Sequence, residues 1–444
     1  MADTSNDDDL LREFLLGLAE WMVAAEDSVD RIRNTLHDIA RAYGGHGFEV
    51  VVLPTFVLAS SGSGDRLALH SARPGGIRFD QIAALYELVE RAKSRSVTVQ
   101  EGIGQLNAIA SMRPRHGWLV RVFGHGVLTA GLALLLTPDW RGSIVAFGIG
   151  LLIGLTKLIR SPALQLIFPV VAAFVSGVIV FILAPIVPID DPLRLTIAPL
   201  VTLLPGGVLT TATMELASRQ MIAGSARLVT GFVQLGLLAF GILTAAAVTK
   251  AIAGGDQWFS AGTPVPPWIG VIGVLMFALG IFLHFSAPGR SFGWILLVLA
   301  VAYSAQFAGI AIGGPVVGGL LGAALMAPVV LWIGSLKHGA PTQLTFLPAF
   351  WLLVPGAAGL VGLATAIGGG SGTTDFLDAL ISVLAIALGV LIGTAIYQFA
   401  RHGAQEIASI HIDLPEPVKI VPPSRWSRLL PGTRHSIWTR HRGD

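Results

Sequence analysis

Cysteine is absent from the 444 residues, which excludes a disulfide framework, a thiolate nucleophile and a Cys-ligated metal. Charge is scarce. Only 13% of the residues are Asp, Glu, Lys or Arg, against roughly 25% in ordinary soluble proteins, and this excludes a soluble globular enzyme. The shortage is local: residues 117–400 hold 17 charged side chains, while the other 160 residues hold 39. One chain thus joins a lipid-compatible stretch to a water-compatible one. There is no Walker loop, so ATP-driven transport is not expected. There is no Gly-x-Ser-x-Gly elbow, nothing resembling a nucleic-acid module, and no implied cofactor or metal.

What is present begins with an acidic start, Met1 to Asp9, which lacks the basic flank and cleavage site of a secretory signal. The N-terminus is expected in the cytosol. From Leu11 to Tyr43 the apolar residues recur in alternating steps of four and three, which predicts one long amphipathic helix ended by Gly44 and Gly45; a pair of helices broken near Asp27 and Ser28 is the alternative. Phe48 to Ser60 and Arg66 to Ser71 read as strands joined by Ser61-Gly62-Ser63-Gly64, with Pro54 forcing a bulge or an edge. Helices follow at Phe79 to Lys93 and after the capping-box pair Thr98 and Glu101. Residues 1–116 therefore read as a small α+β cytosolic domain.

Ten apolar spans follow, near 118–137, 142–159, 163–187, 193–213, 225–249, 268–287, 292–311, 315–335, 344–367 and 377–400. Each is judged against the roughly 20 residues needed to cross a hydrocarbon core. The loop charges sort by side. Arg113 with Arg115, Lys157 with Arg160, Arg219 with Arg227, Arg290, and Lys337 with His338 fall on one side. The other holds Asp139 with Arg141, Asp190 with Asp191 and Arg194, Lys250 with Asp256, a loop around Gly313 and Gly314 with no charge, and Asp375. By the positive-inside rule the first side is cytosolic, as are both termini. Residues 401–444 form a proline-rich basic tail, with Arg425, Arg428, Arg434, Arg440 and Arg442 near Trp426 and Trp438, suited to disorder or to anionic headgroups.

The spans contain a repeat. Leu195-Thr196-Ile197-Ala198-Pro199 with Leu204-Pro205-Gly206 matches Leu344-Thr345-Phe346-Leu347-Pro348 with Val354-Pro355-Gly356. These are the fourth and ninth spans, and an offset of five, being odd, makes the copies antiparallel. The expected fold is a mainly α polytopic membrane protein, ten transmembrane helices as a 5+5 inverted repeat over residues 117–250 and 251–400. Inverted repeats with helices broken at matching places are the architecture of secondary transporters. Each proline withholds a helix hydrogen bond, and the freed groups need protein, water or solute to satisfy them. Pro and Gly are also common in membrane helices, where neighbours rescue a kink; the pairing of two motifs in matching spans favours the functional reading. Gly150/Gly154, Gly318/Gly322 and Gly389/Gly393 read as helix contact faces.

At this point the chain resembles the threonine/serine exporter family. The likeness rests on Leu204-Pro205-Gly206 with Glu215, on Gly224 and Ala226-Arg227-Leu228, on Val354-Pro355-Gly356, and on Val52-Leu53-Pro54-Thr55, and covers about residues 15–400. It departs at Ala25, where the family usually has a glycine. The resemblance implies a plasma-membrane exporter of threonine and serine driven by the proton gradient, with a cytosolic N-terminal domain and ten transmembrane helices. Relatives split into two chains resemble dicarboxylate exporters.

Candidate substrate-binding residues are Pro205, Gly206, Pro355, Gly356, Thr210 and Arg227, with Glu215, His125 and Asp378 as candidates for proton coupling. Each has a plainer reading: Glu215 paired with Arg219 or Arg227, His125 packed, His284 interfacial, Arg227 snorkelling, and Asp375 and Asp378 capping the last span. Expected partners are a small amino acid, protons, the bilayer and a second copy of the chain. Two rival functions are dicarboxylate export and hydrolysis by Ser61, Ser63, His46 and His70; a signalling scaffold would not need ten spans.

Overall fold

The computed structural model describes residues 2–45, 48–60, 67–71, 76–159, 161–253, 265–353 and 372–409. The chain divides into units Met1–Gln398 and Phe399–Asp444; the basic tail beyond residue 409 lies outside the described residues.

The first expectation to fail is the single long helix. α1 (Ala2–Ala24) and α2 (Val29–Ala42) are separate. They are joined by a turn in which Glu26 takes φ 61°, a left-handed conformation that costs a non-glycine residue roughly 1–2 kcal/mol. The apolar phase runs on through the turn because both helices bury the same stripe: Phe14, Leu15, Leu18 and Met22 on α1, Ile32, Leu36 and Ile39 on α2. The second correction concerns Phe48 to Ser60. Pro54 divides that run into β1 (Glu49–Val52) and β2 (Phe56–Ser60), which pair antiparallel with Val52 opposite Val57. β3 (Leu67–Ser71) pairs with β2, giving the order β1-β2-β3. A proline that cannot join the ladder is accommodated in the turn.

α3 (Phe79–Lys93) has the bounds that its periodicity predicts, and α4 (Val99–Ser111) starts where its capping box places it. The Glu101 amide donates to Thr98 Oγ1 at 3.3 Å and the Thr98 amide donates to Glu101 Oε2 at 3.0 Å. Helix α4 approaches α1 closely: a Cβ at Gly102 would lie 2.5 Å from the ring of Phe14, so only glycine fits there. These amino-terminal elements pack on the apolar helices through aromatics. Phe79 stacks on Phe285 with centroids 4.9 Å apart, Trp351 lies 5.0 Å from Phe285, and the Phe79 amide donates to the Phe285 carbonyl.

The apolar helices are α5 (Trp118–Leu136), α6 (Trp140–Thr156), α7 (Pro162–Leu183), α8 (Pro192–Ile197) with a 3₁₀ segment (Ala198–Leu203), α9 (Gly206–Ala217), α10 (Met221–Ala253), α11 (Pro267–His284), α12 (Phe292–Ser335), α13 (Thr342–Leu353) and α14 (Gly372–Ser409). Among the described residues, six helices are long and apolar enough to cross a membrane, or seven if the bent pair 192–203 and 206–217 is one span. The sequence count of ten is higher for three local reasons. α6 has 17 residues, α13 ends at Leu353 where the description stops, and two expected spans run on as the single 44-residue α12.

Straight, α12 would be about 66 Å long, about twice a hydrocarbon core. It folds back on itself. Gly313 and Gly314 leave helical geometry, Gly314 at φ 81°, and a Cβ at Gly309 would lie 2.7 Å from the Cα of Gly318. Apolar side chains such as Leu166, Ile222 and Phe240 are turned outward, as lipid-facing surfaces require. α5 and α11 cross in close contact and run antiparallel: Gly124 meets Leu283 and His284, whereas Gly131 meets Gly273 and Phe277. A Cβ at Gly280 would lie 2.2 Å from the backbone nitrogen of Leu128, so small residues set that spacing. The three glycine pairs named from the sequence lie at such contacts: Gly150 and Gly154 against α5, Gly318 and Gly322 within the α12 fold, Gly389 and Gly393 against Leu320 and Ala324.

Candidate functional site

The fourth expected span is broken. The 3₁₀ segment and α9 meet at Leu204-Pro205 with a 66° bend. Pro205 has no N–H to donate, so helical bonding stops there; the Leu204 amide closes a short turn onto the Val201 carbonyl at 3.3 Å. The carbonyl of Leu203, two residues before the proline, accepts from Gln234 Nε2 on α10 at 2.6 Å. The matching carbonyl of the second copy, Leu353, accepts from Gln306 Nε2 on α12 at 3.4 Å. A glutamine thus caps the same position in both copies, offsetting a desolvation cost of roughly 1–3 kcal/mol for a buried orphan acceptor.

Beside this break lies a basic cluster. His125 on α5 is fully buried; its Nδ1 is 2.8 Å from the Gly150 carbonyl and its Nε2 is 3.3 Å from Thr202 Oγ1. Lys157, which follows α6, donates to Thr202 Oγ1 and sits 3.4 Å from His125 Nε2. His284 brings its ring centroid to 4.7 Å from that of His125, with Nδ1 2.9 Å from the Arg121 carbonyl. His284 is therefore buried against α5, which corrects the interfacial reading; the end of α11 is covered by α5 where the sequence shows only a helix terminus.

A second cluster clasps the α1–α2 turn. Glu215 on α9 is buried, and its Oε1 accepts from the Val29 amide at 3.1 Å. Its Oε2 lies 3.2 Å from Arg227 Nε on α10, an ion pair without an aligned hydrogen bond. Arg227 also donates to the Asp27 carbonyl at 3.0 Å. Arg227 is thus enclosed by protein rather than snorkelling, and Glu215 pairs with it rather than with Arg219. Asp27, 1% exposed, accepts from Tyr86 and from Gln343 on α13. Arg31 donates to Gln343 Oε1 and Thr342 Oγ1, and Gln220 donates to Asp30. Burial pushes the Asp27 carboxyl up to about 6, against the lowering pull of Arg31, Arg227 and Lys93. Glu26, exposed at the turn, brings its Oε2 within 3.4 Å of the place a Cβ on Gly207 would occupy.

The structure distributes the sequence candidates as follows. Pro205, Gly206 and Thr210 are at or just past the break; the Thr210 hydroxyl donates to the Gly206 carbonyl at 3.0 Å. Glu215 and Arg227 belong to the clasp and His125 to the basic cluster. Pro355, Gly356 and the side chain of Asp378 lie outside the described residues, as do His46 and Ser61 to Asp65. α14 begins at Gly372, so Asp375 lies inside its first turn rather than ahead of it. His70 is 4.0 Å from Glu20. Sequence reading misses Thr202, Gln234 and Asp27, and takes Lys157 as a loop charge and, with Arg227, as a weak cationic contact for a dicarboxylate. The one available signal was a Lys three residues past the contact glycine Gly154, at the end of the short α6.

Comparison with known proteins agrees with the earlier resemblance. The family model described as "Putative threonine/serine exporter" matches residues 13–249, just over half of the chain. The chain is 23% identical over 425 residues to a "Probable threonine/serine exporter" of Mycobacterium tuberculosis, covering 90% of this chain and 78% of that protein. It is 26% identical over 179 residues to an uncharacterized protein of Schizosaccharomyces pombe, covering 38% of this chain and 21% of that protein. No solved structure matches.

Proposed function

The chain belongs to the threonine/serine exporter family of membrane transporters, and we propose that it is a secondary transporter that exports threonine and serine across the plasma membrane in exchange for protons. The observation that carries this reading is the buried 66° interruption at Leu204-Pro205 with polar side chains beside it. Broken helices at repeat interfaces are where such carriers hold solute. In this reading ten helices form a 5+5 inverted repeat with cytosolic termini and a cytosolic N-terminal domain. The fold-back of α12 at Gly313-Gly314, the antiparallel contact of α5 with α11, and the glutamine caps on Leu203 and Leu353 support the repeat.

Pro205, Gly206, Pro355 and Gly356 then line the passage, with Thr210 and Arg227 near it. His125, Glu215 and Asp378 remain the candidates for carrying protons. Counterflow in proteoliposomes with labelled threonine, serine and succinate, with and without a pH gradient, tests the reading. Exchange of threonine stimulated by the gradient is expected; absence of exchange overturns it. Pro205→Ala restores the missing N–H and should straighten the span, so export should fall while the purified protein stays monodisperse. Undiminished efflux would remove the break from the mechanism.

One observation favours a second reading, dicarboxylate export: half-buried Lys157 with buried His125 and His284 places more basic groups near the break than an amino acid with one carboxylate needs. Succinate exchange without threonine exchange would select it.

A further inference from the structure

Lys157, half-buried at the end of α6, is a cation with no carboxylate beside it among the described residues. Its ammonium stands among α5, α6 and the 3₁₀ segment, and carries three donors. Thr202 Oγ1 takes one and His125 Nε2, at 3.4 Å, faces a second. Among the described residues, the third has no acceptor and no carboxylate lies within ion-pair distance of the ammonium.

The histidines cannot supply the missing negative charge. A carbonyl oxygen only accepts, so His125 Nδ1, 2.8 Å from the Gly150 carbonyl, must carry a proton. The same holds for His284 Nδ1, 2.9 Å from the Arg121 carbonyl. Each ring then offers Nε2 as a neutral acceptor. Protonating either would add a second positive charge beside Lys157.

A cation without a counter-ion inside a membrane protein is expensive, and such groups mark solute pathways. Here the cation is next to the broken span: Thr202 is on the last 3₁₀ turn before Leu204-Pro205. His284 comes from α11, on the far side of the repeat boundary, so both proposed halves contribute to the cluster. A carboxylate would match all of this. One oxygen could take the free ammonium donor, and its charge would neutralise the cluster.

We propose that Lys157, supported by Thr202 and His125, is the anchor for the carboxylate of the transported solute. This rests on the transporter reading above and specifies which end of the solute is held. The test uses full-length protein in proteoliposomes, comparing L-threonine, L-threonine amide and succinate in counterflow on wild type, Lys157→Gln and Lys157→Arg. For threonine, Lys157→Gln should raise KM at least about tenfold with a smaller change in maximal rate, and Lys157→Arg should recover part of the loss. A merely structural lysine would lower the rate and leave KM in place. Threonine amide, which lacks the carboxylate, should compete poorly on wild type; full competition by the amide overturns the proposal. That comparison needs no variant and decides the matter if Lys157→Gln does not fold. Wild-type exchange with an unchanged KM in Lys157→Gln overturns this inference alone, whereas no exchange of any solute by wild type overturns the transport reading with it.

Discussion

The two polar clusters differ in what they leave unsatisfied. At the clasp, Arg227 meets Glu215 and the Asp27 carbonyl, and Asp27 in turn meets Tyr86 and Gln343. Near the break, Lys157 meets a hydroxyl and a neutral imidazole, with no carboxylate. A buried ion pair that is already closed holds elements together, while an open cation waits for something from outside. The same chemistry of burial therefore gives a structural joint in one place and a candidate seat for solute in the other.

Equal substitutions should separate the two. Arg227→Met leaves Glu215 buried without its partner and should cost about 3–5 kcal/mol, read as a large fall in the unfolding temperature of the detergent-solubilised protein. Lys157→Met removes a charge that has no counter-ion and should leave that temperature unchanged or raise it. Equal losses in both would erase the distinction.

Asp27 sharpens the comparison through pH. Its carboxyl is raised from 3.8 to about 6, so the folded protein holds this proton more tightly than the unfolded chain. The stabilisation is fully present below 3.8 and is lost as pH rises through about 6; it amounts to at most about 3 kcal/mol at 1.36 kcal/mol per unit. Asp27→Asn cannot titrate, so its unfolding temperature should lack this part of the slope between pH 4 and 6. A slope identical to wild type would mean that Asp27 ionises freely in the turn. The smallest expected effect is at Gln234. Gln234→Leu strands the Leu203 carbonyl and should cost about 1–3 kcal/mol, measurable by the same melt; no change would mean that water already serves that group.

What could be read from sequence was local. α3 and the capped start of α4 follow from spacing within a few residues, and the 204–206 motif marks its break because proline acts on its own helix. The break near Asp27 and Ser28 stands in the sequence only as an alternative to one long helix; the contacts that hold the turn come from Gln343, 316 positions away from Asp27, and from Arg227. Thr202 escaped for the same reason: its hydrogen bond with Lys157 spans 45 positions. Pro54 was weighed as a flaw in one strand, when the pairing of Val52 with Val57 makes it the corner between two. The family likeness reached further than periodicity because it carries long-range arrangements that local spacing does not encode.

The α1–α2 turn is gripped from two sides, by Glu215 and Arg227 on α9 and α10 and by Gln343 on α13. These helices lie far apart along the apolar region, α9 and α10 before residue 254 and α13 after residue 341. Were they to part, the turn would have to let go of one of them, so the amino-terminal helices would sense the separation as strain on Asp27. A segment fastened in this way is tied to whatever the helices do, and trimming it off should change their motion rather than merely shorten the protein.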